Sequence, residues 1–277
     1  MTVYFRDYRQ QRVDQAIRTL DQKYAQLQLA AVQSDPFLDN LPPYGESGFQ
    51  HKPDKRLTLA EGIESFHARF PLYFDDPAYL TAPDTQERAY KWAAHQRFEA
   101  SLGGGRLRSL LEDGAIDEVR KRILAVEGPM NLLALFEKAA FRDALRDDVA
   151  AAQFFKALAA VLGAPVPEPA SFSALLRSVE DLPAETGKTS PAKWTIATIM
   201  PFLAQPDRFM FLKPEVTKEC AARLMFDLGY TTQLEWPTYS KLLTMSRHLL
   251  DELRRFGARD YIDVQSFIWV IGSGHAR

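Results

Sequence analysis

Four polar side chains near the end of the chain stand out: Asp260 precedes the otherwise apolar run 261–271, and Asp263, Gln265 and Ser266 interrupt it. Acids three positions apart share one face of a helix. With a hydroxyl and an amide beside them they could act on a substrate, with or without a metal, or form a buried hydrogen-bond network. The same spacing suits a helix start, with Asp260 as the cap and Asp263 in the first turn. A second constellation is the glycine run 103–105, with Gly104 and Gly105 leading into Arg106 and Arg108. Backbone amides at such a turn can cradle an anion, with two guanidinium groups to neutralise it. Glycine runs also simply end helices. A third group, Arg247, Arg254, Arg255 and Arg259, makes the C-terminal end locally basic and raises the possibility of nucleic-acid contact. Asp251 and Glu252 lie within helical pairing distance of Arg254 and Arg255, so a solvated ion-paired face is the plainer reading.

Other arrangements fall short of a motif. Glu64-x-x-His67 and His95-x-x-x-Glu99 each place a carboxylate and an imidazole on one helical face. The second pair is reversed relative to the Glu-x-x-His repeat of carboxylate-bridged metal pairs, and no further ligands are assigned. We therefore assign no metal and no cofactor. Gly187-Lys188-Thr189 lacks the first glycine of a phosphate-binding loop, Leu182 standing in its place, and reads as a turn. Ser266, His248 and His275 have no nucleophile-elbow context, and no catalytic residue is assigned. Cys220 lies on an apolar stripe and reads as packing.

The chain has 277 residues, 46% hydrophobic and 25% charged, and suits one large or two modest globular domains. Lys and Arg number 34 against 36 Asp and Glu, so no global field draws it to nucleic acid or acidic lipid. A single cysteine excludes an intramolecular disulfide. The first residues meet charge at once and no apolar run reaches the ~18 to 20 residues of a spanning helix, so a cytoplasmic protein that does not enter membranes is expected.

The elements that must position these residues are helical. Residues 3 to 29 carry Val13, Ile17, Leu20, Tyr24 and Leu27 as a narrow apolar stripe, a surface or partner-binding helix. The prolines and glycines of 35 to 55 make an extended connection. Thr58 and Glu61 form a capping-box pair for a helix to about Phe70. Asp84 or Thr85 can cap the next, which ends at the glycine run. Short helices follow at 107–112 and 116–126. Pro129 suits the first position of a helix towards Leu145, and Asp147 caps another reaching Gly163, an expected antiparallel hairpin. Five prolines in 164–193 suggest a seam around one short helix, 172–179. A helix from Pro191 interrupted at Pro201, a short strand at Phe209 to Leu212, and helices opened by Pro214 and Pro237 and ended near Gly229 and Gly257 complete the pattern. The run 261–271 is a capped helix or, given its β-branched residues, a strand.

The segments Glu87-Arg88-Ala-Tyr90-Lys91-Trp92-Ala and Arg259-Asp260-Tyr-Ile-Asp263-Val-Gln265-Ser266-Phe267-Ile-Trp269 resemble segments of uncharacterised bacterial proteins, some of which accompany restriction or phage-defence components. The resemblance implies a macromolecular setting and transfers no residue role. The expected fold is mainly α, a multi-helix bundle-like core with little or no β. It comprises an arm and connection (1–55), a helical region (56–163), the seam (164–193) and a second helical region (194–277). The expected function is that of a non-catalytic interaction or accessory protein, with a protein partner or self-association through the N-terminal helix. The alternatives are a nucleic-acid-associated accessory factor of a defence or restriction system, and an enzyme with a polar site around Asp260 and Asp263.

Overall fold

The computed structural model describes residues 56–81, 87–184 and 187–273. Among these residues the chain is all-α: twelve α-helices and two 3₁₀ turns, with no strand. The expected helix 3–29, the connection 35–55 and the caps Asp84 and Thr85 lie outside the described residues.

Helix α1 (Leu59–Arg69) begins where the capping box places it. The Thr58 hydroxyl accepts from the Glu61 amide at 3.1 Å and the Glu61 carboxylate accepts from the Thr58 amide at 2.7 Å. A 3₁₀ turn (Tyr73–Asp75) and the one-turn helix α2 (Pro77–Leu80) follow, the latter capped by Asp76. Helix α3 (Ala89–Leu102) ends at the glycine run, where α4 (Arg106–Glu112) and α5 (Ile116–Glu127) begin a compact turn of the chain.

Pro129 does not open a helix. Helix α6 starts at Leu135 (Leu135–Ala144), where the Glu137 carboxylate takes the otherwise unpaired amide of Ala134. The expected hairpin partner also changes. Helix α7 (Asp148–Gly163), capped by Asp147, packs most closely on α8 (Pro169–Glu180), while α6 meets it through Phe141 edge-on to Phe154. Helix α8 lies in the proline-rich stretch, yet Phe172, Leu175, Leu176 and Val179 are buried in the same continuous core as residues from Leu57 to Ile271. That stretch therefore runs partly through the core.

Helix α9 (Trp194–Ala204) is buried along its whole length and continues through Pro201. The segment 209–212 is not a strand. It is fully buried, and side chains replace a sheet partner: the Tyr239 hydroxyl accepts from the Met210 amide and donates to the Met210 carbonyl, while the Thr198 hydroxyl accepts from the Leu212 amide. Buried backbone groups left unpaired would cost about 1–3 kcal/mol each, which explains why these hydroxyls sit there.

Helix α10 (Pro214–Arg223) ends earlier than its apolar stripe suggested, because Met225 turns the chain with φ of 59°. Helix α11 (Trp236–Leu253) runs to a 3₁₀ turn closed by Gly257. The last helix, α12 (Tyr261–Gly272), settles the choice between helix and strand: the Asp260 carboxylate accepts from the Ile262 and Asp263 amides. Between Tyr261 and Ile271 only Trp269 is partly exposed, so α12 is a central helix covered by α1, α10 and α11. A helix apolar on nearly all sides has nowhere else to go.

Candidate functional site

The face of α12 carrying Asp260, Asp263 and Ser266 at successive three-residue steps meets α2 and the start of α3. Three elements fix the geometry. Asp76 caps α2, accepting from the Ala78 amide at 2.8 Å and reaching back to the Leu72 amide at 2.9 Å, which aims Tyr79 inward. The Arg88 amide donates to the Tyr79 carbonyl, joining α2 to the start of α3. Lys91, one turn further on, enters from the same face as Arg88.

Arg88 grips Asp260 with a two-pronged fork, Nη1 to Oδ1 at 2.9 Å and Nη2 to Oδ2 at 2.7 Å, and donates from Nη1 to Asp263 Oδ1 at 2.7 Å. This planar match is the strong form of a charge-assisted bond. The Tyr79 hydroxyl donates to the same Asp263 oxygen at 2.5 Å. The other Asp263 oxygen accepts from the Arg259 amide at 2.8 Å, with the Arg259 guanidinium 3.5 Å away. Lys91 Nζ donates to Ser266 Oγ at 2.8 Å and to Glu87 at 3.0 Å, and Ser266 Oγ donates to the Ile262 carbonyl at 3.0 Å. The Trp92 ring covers the Arg88 guanidinium at 5.0 Å. Lys91, Asp263 and Ser266 are each 0% exposed.

Charges inside the molecule are tolerated only in balance. Here Glu87, Asp260 and Asp263 face the buried bases Arg88 and Lys91, while the exposed Arg259, which also pairs with Asp75, reaches Asp263 from the edge. Burial pushes the Asp263 carboxyl above the usual carboxylate range, and Arg88 pulls it back. Burial pulls the Lys91 ammonium below the usual lysine range against the opposing effect of Glu87. Tyr79 is held far above the ordinary phenol value by burial and by the Asp263 charge, so it remains a neutral donor. Arg88 stays protonated, its two carboxylates outweighing desolvation.

The parts of a serine–lysine nucleophile are present, since Lys91 is within hydrogen-bond reach of Ser266 and its basicity is shifted in the useful direction. Both atoms are sealed, and the serine proton is engaged by a backbone carbonyl.

Of the four C-terminal polar residues read from the sequence, Asp260, Asp263 and Ser266 come together. Gln265, 3% exposed, is apart from their hydrogen bonds and its Oε1 finds no partner. Arg106 and Arg108 lie on α4, whereas Arg254 and Arg255 occupy the 3₁₀ turn after α11, 3.6 and 3.8 Å from Asp251 and Glu252. Arg106 donates to the Ala100 carbonyl at the end of α3, and Gly104 and Gly105 take the positive φ values of 59° and 83° that let the chain turn there. His67 is 4.0 Å from Glu64, and His95 Nδ1 is 2.8 Å from the Leu203 carbonyl. No group of three or more His, Cys, Asp or Glu side chains suited to a metal occurs among the described residues. Sequence reasoning missed Tyr79, Glu87, Arg88 and Lys91 as members of the cluster. A usable signal existed: the i,i+4 pair Glu87 and Lys91, with Arg88 between them, concentrates charge at the start of α3.

Residues 87–93 and 259–269 supply every member of this cluster except Tyr79. The chain matches no protein-family model, no curated protein and no solved structure.

Proposed function

We propose that the protein is a non-catalytic helical interaction or accessory protein that acts on a macromolecular partner. The observation that carries this reading is the sealing of the polar cluster. Tyr79, Arg88, Lys91, Asp260, Asp263 and Ser266 are buried and bonded to one another, which serves to lock α2, α3 and α12 together and leaves neither the Lys91 amine nor the Ser266 hydroxyl open to a substrate. The partner-binding element is the apolar stripe Val13, Ile17, Leu20, Tyr24 and Leu27 of the N-terminal segment, and the setting is the one implied by the resemblance to proteins accompanying defence or restriction components.

The test uses the full chain with Ile17→Asp and Leu20→Asp on that stripe. Self-association in analytical ultracentrifugation, or co-purification of a defined protein partner, is expected in the parent and lost in the double variant, with helical circular dichroism unchanged. Equal association in both chains contradicts the reading. The Ser266 and Lys91 contact at 2.8 Å favours a second reading, a serine hydrolase whose cluster opens on substrate binding. Esterase turnover abolished by Ser266→Ala would establish it in place of the first.

A further inference from the structure

Away from the buried cluster, the ends of α3, α7 and α9 converge on the start of α4 around an open cleft of about 270 Å³. Its lining includes the apolar side chains of Phe98, Leu102, Leu107 and Leu162 together with one acid and one base, Glu99 and Arg108. Each charged head lies over a glycine. A Cβ added at Gly103 would stand 2.4 Å from Glu99 Oε2, and one added at Gly163 would stand 2.6 Å from Arg108 Nη2. Both side chains are exposed, and neither pairs with another side chain among the described residues. Neighbouring polar groups at the same corner are already engaged: Gln205 donates to the Leu162 carbonyl, Arg208 donates to the Ala164 carbonyl, and Arg122 donates to the Ser101 carbonyl.

We propose that this cleft binds a small zwitterion with an apolar substituent, a free aliphatic α-amino acid being the simplest case. Charge complementarity assigns the two ends. The ligand carboxylate pairs with the Arg108 guanidinium, whose planar donors match it. The ammonium pairs with Glu99, in a corner where three helix C-termini each contribute partial negative charge. The aliphatic group covers the apolar lining. At about 270 Å³ the cleft is slightly smaller than the pockets that hold drug-sized molecules, which suits a small ligand. A simple anion would leave Glu99 opposed and a simple amine would leave Arg108 opposed, so neither completes the site as well. This inference concerns a corner away from α12 and does not depend on the partner-binding role of the N-terminal segment.

The experiment titrates L-leucine into the full chain while following the backbone amide resonances of Gly104 and Gly105. Isocaproate, which lacks the ammonium, and isoamylamine, which lacks the carboxylate, serve as matched probes. Saturable leucine binding is expected, with each matched probe about tenfold weaker or more, as the loss of one charge-assisted contact implies. Arg108→Gln and Glu99→Gln are expected to weaken leucine by a similar factor, and Ala159→Phe, which fills the cleft, to abolish binding. Three results overturn the proposal: no saturable shift with leucine, isocaproate or isoamylamine binding as well as leucine, or leucine binding that survives all three substitutions. The probe series needs only the parent chain, so a variant that fails to fold does not leave the question open.

Discussion

Arg88 neutralises two buried carboxylates at once, and this makes it the most consequential single side chain in the molecule. Replacing it by methionine keeps the volume of the stem but leaves Asp260 and Asp263 facing each other without compensation. Removing one partner from a buried ion pair costs about 3–5 kcal/mol, so urea unfolding of Arg88→Met at neutral pH is expected to show a loss in that range. A loss under ~1 kcal/mol would mean that the acids are solvated. Buried tyrosines give a second handle. Burial, the first cause at both sites, holds Tyr79 and Tyr239 well above the ordinary phenol value near 10. Because the folded pKa values are raised, their contribution to stability is complete below pH ~10, where the unfolded phenols are also protonated. It is lost as pH climbs above that point, at up to ~1.4 kcal/mol per pH unit for each tyrosine. Lys91 works in the opposite sense: its folded pKa is lowered, so the penalty of burying it fades as pH rises towards the ordinary lysine value. With Tyr90 and Tyr261 raised by burial as well, several phenols stand against one amine, so unfolding free energy should fall above pH ~10, and tyrosinate absorbance of the buried phenols should appear only with unfolding. Titration of every tyrosine before unfolding would contradict this.

At the scale of the helix, what could be read in advance depended on whether the deciding contact was local. Thr58 with Glu61, Asp147 and Asp260 announce their helices because a cap and the amide it binds are two or three residues apart. Pro214 and Pro237 were equally legible as helix starts. Segment 209–212 misled because its partners are Tyr239 and Thr198, distant in sequence, and because buried apolar residues in an irregular segment look like a strand. Pro129 misled because the carboxylate of Glu137, ten residues beyond the end of α5 at Glu127, decides where α6 begins. The candidate site was half legible. Three of the four polar residues in 260–266 do converge, but Tyr79, Arg88 and Lys91 arrive from more than 170 positions away, and no local spacing encodes that meeting. A close approach of helices supplies the prediction at this scale. A Cβ at Gly272 would lie 1.9 Å from the Val216 carbonyl oxygen of α10, whereas one at Gly62 would lie 3.3 Å from the ring of Phe267. Gly272→Ala must therefore push α10 and α12 apart and is expected to cost about 1–3 kcal/mol in chemical denaturation. Gly62→Ala, which gains helix propensity, should cost less than ~1 kcal/mol. The reverse order would mean that α10 and α12 are not held at this distance.

The whole molecule is organised by α12, which touches helices from both ends of the described chain and carries nearly all its surface inside. Apolar contacts hold most of that helix, and one charged seam fixes its register against α2 and α3. Among the described residues no helix is long and apolar enough to cross a membrane. Among the described residues the most exposed large apolar side chains are Leu135 at 82% and Phe136 at 76%, adjacent at the start of α6 and far from the charged seam in sequence. The charged seam thus lies in the interior, apart from the exposed apolar pair that opens α6. Native-state chemical labelling of Lys91 and Ser266 tests this placement most directly. An amine-acylating reagent and a serine-reactive fluorophosphonate are applied to the folded full chain, and the modified peptides are read by mass spectrometry. If the cluster is a sealed structural tie, Ser266 stays unlabelled and Lys91 reacts only as fast as the protein unfolds, while exposed lysines react at once. Rapid labelling of either residue in the folded protein would show that the cluster opens to reagents and would contradict it.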